Sequence, residues 1–236
     1  PVDLVLAPDE SWIATANQTS DSVTLVSTAD GRKLDEIKVG HRPAAIARTA
    51  DGRRLLVTAS HGAELTVVAV DAGKLKVERR IAVGCEPHGV APTADGKRAF
   101  VALTAVDKVV EIDLTEGKVI AEIPVGRWPR YLALSPDESR LAIGASGDGA
   151  ICVIDPKERK LIEQERCYAI NIGHMTISKD GKQVYFPWHA YRHNAITPQM
   201  IRLGWVIGSR ISRKRIDEKS RREAISLDVP GKAVAD

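Results

Sequence analysis

Short apolar runs of four to seven residues alternate along this chain with tight polar turns. In the stretch from 41 to 84 the runs fall at 41–47, 54–59, 64–70 and 77–84. They are built from β-branched and small apolar residues and bounded by Gly, Asp or Pro, which reads as strands joined by turns. Asp51-Gly52, Asp95-Gly96 and Asp180-Gly181 supply the positive φ that a tight hairpin requires. Asp30-Gly31, Gly73-Lys74 and Gly117-Lys118 do the same one hairpin later. Runs such as Leu55-Leu56-Val57 and Ala99-Phe100-Val101 are apolar throughout, so they are expected to be covered on both faces. No run approaches the ~20 residues of a membrane-crossing helix.

The pattern repeats. Asp9, Asp51, Asp95, Asp137 and Asp180 close equivalent turns at spacings of 42, 44, 42 and 43 residues. Val39-Gly40, Val83-Gly84 and Val125-Gly126 are each followed three residues later by a proline, Pro43, Pro87 or Pro129. A period of this size filled with four short strands predicts an all-β fold, a β-propeller of four-stranded blades with about five blades present. The units run 3–40, 41–84, 85–126 and 127–167, with a fifth starting near Tyr168. Regular blades occupy 1–184. Residues 185–229 read as a fifth blade with a long insertion and basic strands, about twenty residues beyond an ordinary blade period. Residues 230–236 read as the start of a further blade. Pro1 falls inside what reads as a blade, so a trimmed or processed N-terminus is expected.

The Val-Gly turns, the proline that follows, the Asp-Gly hairpins and the strands Val109–Asp113 and Ile151–Asp155 resemble the YVTN-type β-propeller repeat. The resemblance covers 1–184 well and 185–236 poorly. Such bacterial proteins are seven-bladed, which implies that this chain is an N-terminal portion of a longer polypeptide or is completed by another chain. The resemblance further implies export, to the periplasm or beyond, and admits c-type cytochrome-linked and lactonase-like relatives.

Charge adds little to the fold and something to the partners. The net charge is +3, but residues 201–236 hold nine Lys/Arg against five Asp/Glu, leaving the first 200 residues near neutral. A nucleic-acid partner is not expected, since such proteins spread a larger basic excess over one face. The basic stretch 210–222 is a candidate for an acidic partner surface. Cys85, Cys152 and Cys167 form neither C-x-x-C nor C-x-x-C-H, so no cofactor and no metal is expected within this chain. Cys152 is expected in the core and Cys85 in an exposed turn.

In a propeller the innermost strand of each blade lines the channel. Aligning units by their prolines puts Ala44, His88 and Arg130 at one position, with Gly173 in the fifth unit and His174 beside it. His88, Arg130 and His174 are therefore candidates to face one funnel, where they could hold an anion, a carboxylate or, with more ligands, a metal. Trp188, His189, Tyr191, Arg192 and His193 in the insertion are candidate partner contacts, because aromatics beside arginine make interface anchors. Trp128 is expected to pack between blades. Asp51, Asp95 and Asp180 are explained by turns, and no catalytic constellation emerges. The expected function is a non-catalytic scaffold or binding module presenting loops to a protein partner. The alternative is a redox or lactonase-like enzyme subunit with its site in the funnel.

Overall fold

The computed structural model describes residues 1–191, 197–198 and 207–227. Five four-stranded antiparallel sheets follow one another along the chain. Blade one holds β1 (Asp3–Leu6), β2 (Trp12–Asn17), β3 (Ser22–Ser27) and β4 (Lys33–Lys38). Blade two holds β5 (Pro43–Arg48), β6 (Arg54–Ala59), β7 (Glu64–Asp71) and β8 (Lys74–Ala82). Blade three holds β9 (Pro87–Pro92), β10 (Arg98–Leu103), β11 (Lys108–Asp113) and β12 (Lys118–Pro124). Blade four holds β13 (Pro129–Leu134), β14 (Leu141–Ala145), β15 (Ala150–Asp155) and β16 (Lys160–Arg166). Blade five holds β17 (Thr176–Ile177), β18 (Gln183–Tyr191), β19 (Ile207–Arg215) and β20 (Glu223–Ser226). The first strands β1, β5, β9, β13 and β17 contact one another in that order, so the sheets stack as an open arc of a β-propeller.

Burial follows from each blade's neighbours. In the interior blades β6, β10 and β14 are buried along nearly their whole length, because a sheet covers each face. Leu55 and Leu56 point to opposite faces and are both fully buried, worth about 2 kcal/mol each. At the two ends the pattern becomes alternation. In β1, Val5 joins the core while Leu4 and Leu6 face outward. In β19, Ser212 and Lys214 are buried while Ile207, Ile211 and Arg213 are exposed. Ile211 pairs with Pro187 and Ile225, which makes an apolar row across the outer face of blade five.

The repeated turn aspartates act as the turns require. Asp51 accepts from the Thr49 hydroxyl at 2.6 Å and the Arg53 amide at 3.1 Å. Asp95 repeats this with Thr93 and Lys97, and Asp137 with Ser135 and Ser139. Gly52 and Gly96 hold φ of 69° and 65° at the next position, the left-handed region that favours glycine. Carboxylates also tie blade to blade: Asp3 accepts the Ile46 amide at 3.0 Å and Asp35 the Leu75 amide at 2.9 Å.

Candidate functional site at the loop-bearing mouth

The Val-Gly-x-x-Pro loops and the loops between each blade's second and third strands share one mouth of the arc. Their backbones are joined there. The carbonyls of Arg42, Glu86 and Trp128 accept from the amides of Ser60, Thr104 and Ser146 at 3.0 to 3.1 Å. Arg42, Glu86 and Trp128 are equivalent residues, each just before its proline, and hold φ of 58°, 48° and 52°. A non-glycine residue in that region costs about 1–2 kcal/mol, and hydrogen bonds offset part of it. The amides of Arg42 and Trp128 are capped by the preceding blade, by Asp21 at 2.7 Å and Asp107 at 3.0 Å.

Just after each proline, the first strand slips register against the second, between Pro43 and Ala45, within Pro87–Val90 and within Pro129–Leu132. Such a bulge re-aims side chains, and the re-aimed residues are Ala44, His88 and Arg130. Cross-blade bonds fix these bulges, since the Thr58 hydroxyl donates to the His88 carbonyl at 2.5 Å and that of Thr104 to the Pro129 carbonyl at 2.9 Å. Gly89 lets the strands approach, because a Cβ there would lie 2.4 Å from the Arg130 carbonyl oxygen.

The three funnel candidates lie in one connected cluster. Arg130 Nη2 is 3.1 Å from His88 Nε2. The Tyr131 ring stands edge-on to His88 at 4.9 Å between centroids and 5.7 Å from His174. The Arg130 guanidinium also lies 5.7 Å from the Tyr131 ring centre. Burial first, and then the Arg130 charge, lowers the His88 pKa to about 4, so the imidazole is neutral at pH 7. Arginine only donates, so Nε2 is the acceptor and the ring proton sits on Nδ1. Beside this cluster lies a depression of about 380 Å³ lined by Gln18, Arg42, Ala44, Ser60, His61, Glu86, His88, Thr104 and Arg130. Among the described residues no group of three or more His, Cys, Asp or Glu is placed to hold a metal ion.

The insertion candidates are placed differently. Trp188 is 6% exposed and packs in the core between blades four and five. Its Nε1 donates to Ser212 Oγ at 2.8 Å, and Arg222 lies 4.6 Å over the ring. The indole that the sequence pointed to as an interface anchor thus faces inward, because alternation along β18 sends Val184, Phe186 and Trp188 to the same face. His189 is half-buried, with its backbone bridged to Ile170. Tyr191 ends β18 opposite Ile207. Arg192, His193 and the 230–236 segment lie outside the described residues. In the basic stretch, Arg213 pairs with Glu223, and Arg215 with Asp217 and Glu218. Lys214 is fully buried between Glu163 and Glu165, 3.0 Å from each. Cys152 and Cys167 are buried and Cys85 is exposed.

Trp128 departs from expectation. It is 61% exposed rather than packed between blades, because its left-handed backbone turns the side chain out of the loop. Its equivalents, Arg42 and Glu86, are charged, and that contrast within the repeat is the signal that marks an exposed position. Tyr168 is 74% exposed and Val106 41%. Both sit in loops of the same mouth: Val106 precedes Asp107, which caps Trp128, and Tyr168 borders Gly149 in the adjoining loop.

No family model matches the chain, and no curated protein matches it. Solved structures do. A chain of Kuenenia stuttgartiensis hydrazine synthase aligns with a TM-score of 0.88 at 23% identity, covering 99% of this chain and 68% of that one. A functionally unknown protein from Desulfotomaculum acetoxidans DSM 771 aligns with a TM-score of 0.69 at 13% identity, covering 81% of this chain and 65% of that one. The chain thus spans about two thirds of either, and at these identities the likeness is one of fold.

Proposed function

We propose that the chain is a non-catalytic propeller module that binds a protein partner through its loop-bearing mouth, as one arc of a larger chain or assembly. The observation that carries this reading is the row of large apolar side chains exposed on that mouth, Val106, Trp128 and Tyr168. Exposed aromatics on a rigid scaffold are the usual anchors of protein interfaces. The repeat's resemblance to exported bacterial propellers supports an encounter outside the cytoplasm. A joint Trp128→Ser and Tyr168→Ser variant tests the reading against the native chain as bait in extract from the source organism. A protein retained in stoichiometric amount by the native chain and lost with the variant supports it. Equal retention by both, or no stoichiometric protein with either, overturns it.

The enzyme reading draws on the funnel cluster of His88, Arg130, Tyr131 and His174. A neutral imidazole hydrogen-bonded to a guanidinium is a binding arrangement. To act as an acid–base or redox centre it needs further groups, and these would come from the rest of a wheel or from a second chain. The likeness to a hydrazine synthase chain supports the wheel and not that protein's activity.

A further inference from the structure

The depression at the mouth is bordered by two guanidinium groups, Arg42 and Arg130. Among the described residues neither is paired with a carboxylate. Each is held by an imidazole instead: Arg42 Nη1 lies 3.2 Å from His61 Nε2, and Arg130 Nη2 lies 3.1 Å from His88 Nε2. Several arginines elsewhere on the molecule are fixed by acids, as Arg127 is by Asp148 at 2.8 Å and Arg215 by Asp217 at 2.8 Å. The difference has an electrostatic consequence. An imidazole acceptor orients a guanidinium without cancelling its charge, whereas a carboxylate does both. The remaining N–H groups of Arg42 and Arg130 are therefore oriented and still cationic. Neutral polar groups of Gln18, Ser60 and Thr104 complete the lining, and Glu86 is its one acid.

We propose that this depression is a binding site for a monoanionic carboxylate, held between Arg42 and Arg130. The planar guanidinium fork matches a carboxylate in two parallel hydrogen bonds. Two arginines against Glu86 leave one unit of positive charge, which suits a monoanion and disfavours a phosphate dianion. The carboxylate has two possible suppliers, an acidic side chain of the protein docked on the mouth or a free small acid. The first supplier rests on the partner-binding reading above, and the site itself does not.

The test follows the ring resonances of His61 and His88 in the native chain by NMR. The probes are acetate, a capped peptide containing one Asp, the same peptide with Asn, and inorganic phosphate. Acetate and the Asp peptide are expected to give saturable shifts at both rings, with little response to the Asn peptide or to phosphate. An Arg42→Met and Arg130→Met variant weakens acetate at least about tenfold, the loss of one or more charged hydrogen bonds, while core methyl resonances stay in place. An Asp peptide that binds tighter than acetate assigns the site to a partner, and equal affinity assigns it to a free acid. Shifts that do not saturate, phosphate binding as well as acetate, or a variant that binds acetate unchanged overturns the site. If acetate fails while the Trp128 and Tyr168 variant still loses its partner, the site falls and the partner reading stands. If acetate binds and no partner is captured, the reverse holds.

Discussion

Glu111 in β11 is fully buried and carries two arginines from two blades. Arg98 of the same blade lies 2.7 Å from Oε1, and Arg159 of blade four lies 2.8 Å from Oε2. The arginine side chains are 42% and 47% exposed, whereas the carboxylate is 0% exposed. That asymmetry predicts which half of the clamp is costlier to remove. Replacing both arginines by Met leaves a buried charge without a partner, which costs about 3–5 kcal/mol. Glu111→Met leaves two half-exposed guanidiniums that turn to water, and solvent screening holds that cost to about 1–2 kcal/mol. For a chain of this size each kcal/mol moves the melting temperature by about 2–4 °C. Thermal unfolding at pH 7 should therefore place the arginine variant well below Glu111→Met. A Glu111→Met variant as unstable as the double arginine variant refutes the reasoning.

Gly89→Ala is expected to separate β9 from β13, destabilise the chain by about 1–3 kcal/mol, and disturb the His88 ring resonance; an unshifted His88 signal would contradict the 2.4 Å approach to Arg130. His88 has its pKa lowered to about 4 in the fold, so the unfolded chain takes up that proton first. Stability is full above the ordinary histidine range and falls by about 3 kcal/mol as pH drops from 6.5 to 4; denaturant titrations of His88→Gln should be flatter across that window. Hydrogen bonds from Thr49, Thr93 and Ser135 hold Asp51, Asp95 and Asp137 below the usual carboxylate range. Their stabilisation is present above about pH 4 and lost as pH falls through their depressed values, so Asp51→Asn and Asp95→Asn should lose less stability than the native chain on acidification below pH 4. Trp188→Phe removes the indole bond to Ser212 and should cost about 1–2 kcal/mol, whereas Trp128→Ser should change stability by no more than about 0.5 kcal/mol; paired melting curves check both.

The insertion shows where reading the chain succeeds and where it stops. Trp188, His189 and Tyr191 stood out because they interrupt a repeat, which says only that the repeat changes there. Whether Trp188 turns in or out depends on the phase of β18, and blade four, on its inner face, makes the indole part of a core. The funnel residues were easier. His88 and Arg130 occupy the same position after a proline in adjacent repeats, and equivalent positions in neighbouring blades are close in space. Tyr131, which packs on His88 from the next blade, and the Arg42–His61 pair at the same mouth were not legible, because no local pattern connects residues that meet only across turns and blades.

The sequence by itself determined the blade count, the four strands per blade, the turn aspartates and the strands that carry the mouth. All of these rest on periodicity and on the φ preferences of Gly, Asp and Pro, which act within a few residues. Only the tertiary structure decided which arginines keep their charge, which tryptophan is buried and which is exposed, and where the mouth gathers its polar groups. Those outcomes depend on the register of one strand against another and on which sheet covers which face. Both are set by packing between blades, where a slip of one residue reverses every side chain.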